Sequence, residues 1–108
     1  MSANLGEFEQ LVLLALAQLG DDAYGVAVKH EIARRTRRAT TFGTVYSTLA
    51  RLEEKGFVVA RIGEPTPERG GRRKKYFAIS PAGRRAVQRS LRALRTMARG
   101  LDASWETP

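Results

Sequence analysis

Apolar residues recur at intervals of three and four near the start of the chain, which is the spacing of one buried helix face. The first such stretch has seven apolar positions: Leu5, Phe8, Leu11, Val12, Ala15, Leu16 and Leu19. Gly20, Asp21 and Asp22 follow it, and they combine a helix stop with candidate caps for a new helix. We therefore expect the first helix to end near Leu19 and a second helix to begin near Ala23.

Two more helices are predicted by the same spacing. The buried side of the second consists of Tyr24, Ala27, Val28 and Ile32. A capping segment, residues 40–43, precedes the third helix, which runs to about Lys55 and stops at Gly56. The core stripe of the third helix consists of Phe42, Val45, Leu49 and Leu52. Three short helices joined by brief turns form the arrangement in which a helix-turn-helix is found.

After the third helix the composition changes to that of strands. Residues 57–62 are rich in Val and Ile and predict a strand, and residues 75–79 predict a second one. The loop between them, residues 63–71, contains two prolines, so the pair forms a β-hairpin with a long tip, or wing. The predicted fold class is α+β, mainly α: a winged helix-turn-helix of three helices plus a β-hairpin wing, followed by a C-terminal dimerisation helix.

That fourth helix has a clear start at Ser80 and Pro81, an N-cap side chain followed by proline at the first helical position. We expect the helix to run to about Leu101. Its apolar seam has spacings of four, three, four and three: Val87, Leu91, Leu94, Ala98 and Leu101. Because the chain ends soon afterwards, the seam predicts a homodimer contact. The alternative is packing on the first helix of the same chain, and both can hold at once.

The formal net charge of this 108-residue chain is +8, and all of it lies in the second half. Residues 1–55 carry 7 basic and 7 acidic side chains, whereas residues 56–108 carry 12 and 4. Such an excess indicates a polyanionic partner, most often nucleic acid. The strongly apolar run, Leu11–Leu19, is far shorter than the roughly 20 residues of a membrane span, and acidic residues precede it. With no cysteine either, we expect a cytoplasmic protein without a membrane partner.

Groups for catalysis are scarce. The single histidine, His30, has only Glu31 beside it, and sequence neighbours on a helix do not face each other. Ser47 has no visible base to activate it. Gly70 and Gly71 do not lie between a strand and a following helix, as a phosphate-binding loop requires. We therefore predict no enzyme activity, no catalytic residue, no metal site and no cofactor.

The third helix offers better candidates. A projection at about 100° per residue places a polar face opposite the core stripe: Thr44, Ser47, Thr48, Arg51 and Lys55. Small hydroxyl residues let a helix enter a major groove closely, and arginine can contact guanine through two hydrogen bonds. Tyr46 lies between the two faces and either joins the core or donates its hydroxyl to a phosphate. The predicted DNA-binding residues here are Thr41, Thr44, Tyr46, Ser47, Thr48 and Arg51.

Three other groups of basic residues stand out. In the wing we expect four of them to contact the DNA backbone: Arg72, Arg73, Lys74 and Lys75. Four arginines at the end of the second helix are either a solvated helix end or phosphate contacts: Arg34, Arg35, Arg37 and Arg38. Six on the fourth helix form one stripe, for which a solvated flank is favoured over DNA contact: Arg84, Arg85, Arg89, Arg92, Arg95 and Arg99.

Together these motifs resemble the PadR family of bacterial transcriptional regulators, in its short type with a single C-terminal dimerisation helix. The resemblance runs from about Leu11 to Ala86. It rests on the order and spacing of short motifs: Tyr24-Gly25, Gly43-Thr44-Val45-Tyr46, Leu49, the segment 51–57, the wing residues 70–77, and Ile79-Ser80-Pro81-Ala82-Gly83. Mild departures from the family pattern occur at Phe77, Ile79, Ser80 and Pro81.

The resemblance implies a homodimeric repressor that binds double-stranded DNA at a pseudo-palindromic operator, whose halves lie about one helical turn apart. It also implies release by a small aromatic or cationic effector near the dimer interface, for which Phe8 and Trp105 are candidate contacts. We expect residues 1–79 to bind DNA, residues 80–101 to dimerise and residues 102–108 to form a tail. Two alternatives are a protein-interaction module with an acidic partner and a nonspecific architectural DNA binder.

Overall fold

The computed structural model describes residues 5–63, 74–101 and 105. These residues form helices and an antiparallel strand pair in the following order: α1 (Glu7–Leu19), α2 (Gly25–Thr36), α3 (Phe42–Glu54), β1 (Val58–Ile62), β2 (Lys75–Ile79) and α4 (Pro81–Ala98). A 3-10 turn, Gly20–Asp22, joins α1 to α2. The predicted winged-helix order of elements is confirmed.

The first three helices pack their apolar faces into one core, to which the strands and the start of α4 contribute. Its most completely buried side chains are Val12, Leu13, Leu16, Val28, Val45, Thr48, Leu49, Leu52 and Val58. Burying one aliphatic side chain of this size contributes about 1.5–3 kcal/mol. The core therefore fixes which face of each helix remains in solvent.

Two helix boundaries differ from the sequence prediction. Helix α2 starts at Gly25 with Tyr24 as its N-cap residue, because Asp21 and Asp22 lie in the 3-10 turn and cap nothing. Helix α4 ends at Ala98, three residues before the predicted end. The backbone leaves the helical conformation at Arg99, whose ψ is 131°. Gly100 follows with a φ of 91°, a left-handed conformation that glycine adopts without strain.

The wing is attached to the helices by its second strand. Strands β1 and β2 pair antiparallel, with Val58 opposite Ile79 and Ile62 opposite Lys75. The backbone N–H of Phe77 donates to the carbonyl of Ala23 at 2.7 Å. This bond ties β2 to the segment just before α2, so the wing base has a fixed position next to the helices.

The start of α4 is fixed by Ser80 and Gly83. The Ser80 hydroxyl accepts a hydrogen bond from the Gly83 backbone N–H at 3.0 Å and donates to the Gly56 carbonyl at 2.7 Å. A Cβ at Gly83 would lie 2.1 Å from the Phe57 carbonyl oxygen. Only glycine therefore lets α4 approach the chain between α3 and β1 this closely.

Candidate nucleic-acid interface

The first turn of α3 is capped by hydroxyl groups. Thr41 is the N-cap residue, and its Oγ1 accepts a hydrogen bond from the backbone N–H of Thr44 at 3.1 Å. The hydroxyls of Thr41 and Thr44 are also hydrogen-bonded to each other, with 3.0 Å between the oxygens. Both residues are exposed. The cap thus fixes the start of α3 and leaves two hydroxyl groups accessible to a ligand.

The N-terminal half of α3 presents a small, polar surface, which we call the outer face. It consists of Gly43, Thr44, Tyr46, Ser47 and Ala50, all exposed. Gly43 and Ala50 are not among the predicted DNA-binding residues, because neither has a polar side chain. Residues 42–52 carry no acidic group, and the positive end of the helix dipole lies at this end of α3. The outer face is therefore suited to close approach by phosphates and base edges.

Thr48 does not belong to the outer face. It is 1% exposed, and its Oγ1 donates to the backbone carbonyl of Thr44 at 2.7 Å. Because that carbonyl satisfies the hydroxyl, Thr48 is buried without an unpaired polar atom. The predicted position of Thr48 among the DNA-facing residues is wrong, since its side chain is not accessible to DNA.

Phe42 shows the opposite error. It was predicted in the core stripe, but it is 45% exposed at the first position of α3, with the Lys29 ammonium 5.0 Å from the centre of its ring. On the helical projection Phe42 and Thr48 lie about 60° to either side of Val45. Polarity alone therefore assigned the two residues to the wrong faces.

At the other end of α3, Arg51 and Lys55 meet the carboxylate of Glu9 on α1. Lys55 Nζ lies 2.8 Å and Arg51 Nε 3.5 Å from Glu9 Oε2. Glu9 Oε1 accepts a hydrogen bond from the backbone N–H of Gly6 at 2.9 Å. Burial alone would raise the pKa of Glu9, but the hydrogen bonds from Lys55 and Gly6 outweigh it and leave that pKa below its ordinary value.

These contacts distinguish Arg51 from Lys55. The Arg51 side chain remains 55% exposed, so it is still accessible to a ligand, whereas that of Lys55 is 27% exposed and engaged by Glu9. The predicted place of Lys55 on an open polar face therefore needs correction. Its main contact is an ion pair between helices.

Tyr46 lies at the edge of the outer face and rests on α2. Its residue is 45% exposed, yet a Cβ at Gly25 would lie 2.3 Å from both its ζ carbon and its hydroxyl oxygen. Tyr46 therefore neither enters the core nor lies free in solvent. Gly25 provides the space in which the ring is held beside the N-terminus of α2.

Two aromatic rings and two cations meet at the base of the wing. Tyr24 and Tyr76 form an edge-to-face pair with 5.8 Å between ring centres. The Lys74 ammonium lies 4.4 Å from the centre of the Tyr24 ring, and the Arg61 guanidinium 4.5 Å from that of Tyr76. Such contacts restrain exposed cations without neutralising them. Arg61 was missed by the sequence analysis, since an isolated arginine in a strand gave no pattern.

Of the other predicted wing residues, Lys75 can be placed and Arg72 and Arg73 lie outside the described residues. The Lys75 ammonium lies 3.9 Å from the Glu53 carboxylate and 5.5 Å from the centre of the Phe77 ring. Lys75 is exposed. The cations placed at the wing base are therefore Arg61, Lys74 and Lys75.

The arginines at the end of α2 contact acidic side chains of the same chain. Glu31 is hydrogen-bonded to Arg35 and, at 2.9 Å, to Arg34. These bonds, Arg35 first, hold the pKa of Glu31 below its ordinary value. Arg38 lies 2.6 Å from the Glu7 carboxylate. The pairing favours a solvated helix end over phosphate contacts for these three arginines.

The apolar seam of α4 divides into two parts. Val87 is 4% exposed and belongs to the core of its own chain, so its predicted place in a dimer interface is not supported.

The second half of the seam is more exposed. Leu91 and Ala98 are half-buried. Leu94 is 59% exposed and Met97, which the seam omitted, is 79% exposed. Leu101, the last predicted member, is 37% exposed. The first half of α4 thus packs on its own chain, whereas the second half leaves apolar surface uncovered.

Comparison with known proteins decides the family. A model of the transcriptional regulator PadR-like family matches residues 12–89. The transcriptional regulator Rv3488 of Mycobacterium tuberculosis is 33% identical over 81 residues, which cover 73% of this chain and 69% of that protein. The chain belongs to the PadR-like family. It is a transcriptional regulator and not an enzyme.

Solved structures of other transcriptional regulators share the fold. A PadR family regulator from Eggerthella lenta is 25% identical, with a TM-score of 0.67 over 94% of this chain and 88% of that one. A transcriptional regulator from Clostridium thermocellum is 24% identical, with a TM-score of 0.71 over 92% and 89%. A PadR-like regulator from Bacillus cereus is 14% identical, also with a TM-score of 0.71, over 94% and 93%.

The predicted effector contacts of this PadR-like chain lie in different settings. Phe8 is half-buried against the core, with the Arg38 guanidinium 5.7 Å from its ring centre, whereas Trp105 is 72% exposed. A groove of about 220 Å³ lies between α1 and α2, and neither ring lines it.

None of the helices in the described ranges is long and apolar enough to cross a membrane.

Proposed function

We propose that this PadR-like chain is a homodimeric, sequence-specific repressor that binds a pseudo-palindromic DNA operator and occludes a promoter. The observation that carries the proposal is the outer face of α3: an exposed half-helix of small and hydroxyl side chains without an acidic group. The opposite face of α3 is locked in the core by Val45, Leu49 and Leu52. A rigid helix with such a surface is suited to the major groove.

The proposed contacts divide by chemistry. Thr44, Ser47 and Arg51 contact base edges and the phosphates next to them, because hydroxyl groups and a guanidinium on the exposed side of α3 can hydrogen-bond to bases. Backbone contacts come from residues at the edges of the interface, and these supply affinity more than specificity: Thr41, Tyr46, Arg61, Arg72, Arg73, Lys74 and Lys75.

Dimerisation gives the second half-site. In this proposal residues 1–79 bind DNA and residues 80–101 dimerise through Leu91, Leu94, Ala98 and Leu101, joined by Met97. The exposed apolar surface on the second half of α4 supports this assignment, since such a surface needs a cover in water. A two-fold dimer then places two α3 helices about 34–36 Å apart, in successive major grooves.

Release by a small aromatic effector is the finer part of the proposal. Phe8 and Trp105 supply the aromatic surface for it. Because Trp105 is the single tryptophan of the chain, its fluorescence reports on any ligand that stacks on it. A saturable change with a Trp105→Phe control, together with loss of operator binding, is the expected result.

The test of DNA recognition compares Arg51→Ala with Lys74→Ala on operator and scrambled duplexes at several salt concentrations. Arg51→Ala should reduce the free energy of binding to the operator by about 1–3 kcal/mol, leave binding to the scrambled duplex unchanged, and relax the sequence preference at one base pair. Lys74→Ala should weaken binding to both duplexes equally. It should also lower the slope of log affinity against log salt concentration by about one unit. Arg34→Ala, an arginine paired with Glu31, is the matched control that should change neither. Equal losses for Arg51→Ala on both duplexes would refute the division of contacts.

A further inference from the structure

Glu9 is a buried carboxylate at the crossing of α1 and α3. Its side chain is 8% exposed, and both of its oxygens are engaged, Oε1 by the Gly6 backbone N–H and Oε2 by cations of α3. A carboxylate is costly to bury unless charges and hydrogen bonds compensate it. Here they do, and one of the compensating groups is Arg51, the arginine that the proposed function assigns to base contact.

The geometry leaves most of the Arg51 guanidinium available. The contact with Glu9 is made by Nε at 3.5 Å, which is an ion-pair distance and longer than a good hydrogen bond. Lys55, at 2.8 Å, is the closer partner of the same carboxylate oxygen. Within the described part of the chain no other acceptor binds Arg51. Its two terminal amino groups, which form the two-pronged contact with guanine, therefore remain unoccupied.

We propose that Glu9 is a positioning residue for sequence recognition. The Glu9 carboxylate attracts the Nε edge of Arg51 and so directs the terminal amino groups of the guanidinium to the exposed side of α3. Restraining a flexible arginine before binding reduces the conformational entropy lost when it meets a base. The negative charge of Glu9 also disfavours binding of Arg51 to any phosphate in its reach, which suppresses nonspecific contact.

This inference rests on the proposed function and makes a distinct prediction. Removing the charge should lower the specificity ratio, defined as affinity for operator over affinity for scrambled duplex, because the operator complex weakens while the nonspecific one does not. Because ordering one arginine side chain costs conformational entropy, we expect the specificity ratio to change by about three- to tenfold. In a chain that lacks Arg51 the charge of Glu9 should have no effect on the ratio.

The experiment measures the ratio for the full chain as wild type, Glu9→Gln, Arg51→Ala and the double variant. Glu7→Gln is the matched control, since it removes the same charge from the same helix turn at a residue that contacts Arg38 instead. Expected are a three- to tenfold lower ratio for Glu9→Gln, an unchanged ratio for Glu7→Gln, and equal ratios for Arg51→Ala and the double variant.

Glu9→Asp covers the case in which Glu9→Gln does not fold, because it keeps the negative charge at the crossing of α1 and α3. It withdraws the carboxylate from both cations by one methylene, and the contact with Arg51, already 3.5 Å long, is the weaker of the two. It should lower the ratio in the same direction. An unchanged ratio in the folded Glu9 variants, or the same decrease with and without Arg51, would overturn the positioning role. A wild-type chain that still prefers the operator would leave the proposed function standing in that event.

Discussion

The contact between α1 and the end of α3 depends on single charged side chains. Glu9 is the most buried acidic group in the described part of the chain, and Lys55 and Arg51 bind it from α3. Glu31 plays a similar part for the arginines at the end of α2. In both, the pKa in the folded chain lies below the ordinary value of 4.5. The charged form of each carboxylate is therefore the one that the fold favours.

The lowered pKa values of Glu9 and Glu31 predict how the stability of the fold depends on pH. A carboxylate with a lowered pKa stabilises the fold above about pH 4.5, and that contribution is lost as the pH falls through the pKa of the folded state. Glu9→Gln should therefore cost about 1–3 kcal/mol at pH 7 and progressively less below pH 4.5. Urea unfolding of both proteins between pH 7 and pH 3 measures the difference. A difference that stays constant over this range would contradict the assignment.

Which residues face outward was predictable for most of α3 and not for its borderline positions. Thr44, Ser47 and Arg51 lie far from Val45 on the helical projection, so their exposure followed from spacing alone. Phe42 and Thr48 lie near the boundary between the faces, where spacing does not decide. Thr48 is buried because the carbonyl of Thr44 satisfies its hydroxyl, a contact that exists only once the helix has formed.

The junction before α2 positions two parts of the proposed interface together. Tyr24 pairs with Tyr76 of the wing through a β-bridge and a ring contact. Its neighbour Gly25 leaves the space for Tyr46 of α3. The sequence contained this dipeptide, and the resemblance to the PadR family singled it out. Its physical role needed the structure, because it joins segments more than 20 residues apart.

The close approach of α4 to the chain after α3 gives a second prediction. Gly83→Ala places a Cβ about 2.1 Å from the Phe57 carbonyl oxygen, so backbone must shift, and a loss of about 1–3 kcal/mol of stability is expected.

Gly43→Ala is the matched control for this change, because the nearest atom to its Cβ is 3.9 Å away. Alanine there should stabilise α3 by up to about 1 kcal/mol. Thermal unfolding of the two variants beside the wild type measures both effects. Equal stability of Gly83→Ala and wild type would show that α4 docks differently.

The ends of elements were the least predictable features at this scale. Ser80 and Pro81 predict the start of α4 correctly, because an N-cap residue followed by proline is a local signal. The predicted end of α4 is too late because the seam continues to Leu101, whereas the backbone leaves the helical conformation at Arg99. Apolar spacing reports which side of a segment is buried, and it does not report where the helix stops.

For the molecule as a whole, the two halves of the α4 seam predict different behaviour on mutation. Val87→Ala should lower the stability of the fold by about 2 kcal/mol, because Val87 lies in the core of its own chain. Leu94→Glu should leave the fold intact and dissociate the proposed dimer, because Leu94 is 59% exposed. Sedimentation equilibrium and urea unfolding of both variants separate the effects. A Leu94→Glu chain with the wild-type mass would refute the proposed interface.

Charge was the whole-molecule property that the sequence revealed best. The excess of 12 basic over 4 acidic side chains in residues 56–108 pointed to a polyanion before any fold was known. Its division among roles required the structure, because an arginine paired with a carboxylate and an exposed one look alike in a sequence. Within that segment, Lys75 lies 3.9 Å from the Glu53 carboxylate, whereas Lys74 contacts the ring of Tyr24.

In the proposed function, this PadR-like chain recognises a DNA sequence through α3. The most direct measurement is titration of the full chain with the DNA upstream of its own gene and with a scrambled duplex of equal length, at several salt concentrations. At physiological salt we expect the affinity for the upstream DNA to be at least about 10³-fold higher than that for the scrambled duplex, and both affinities should fall as the salt concentration rises. Equal affinities would indicate a nonspecific architectural binder, and no binding at low salt would indicate a protein-interaction module. Either result would refute sequence-specific recognition through α3.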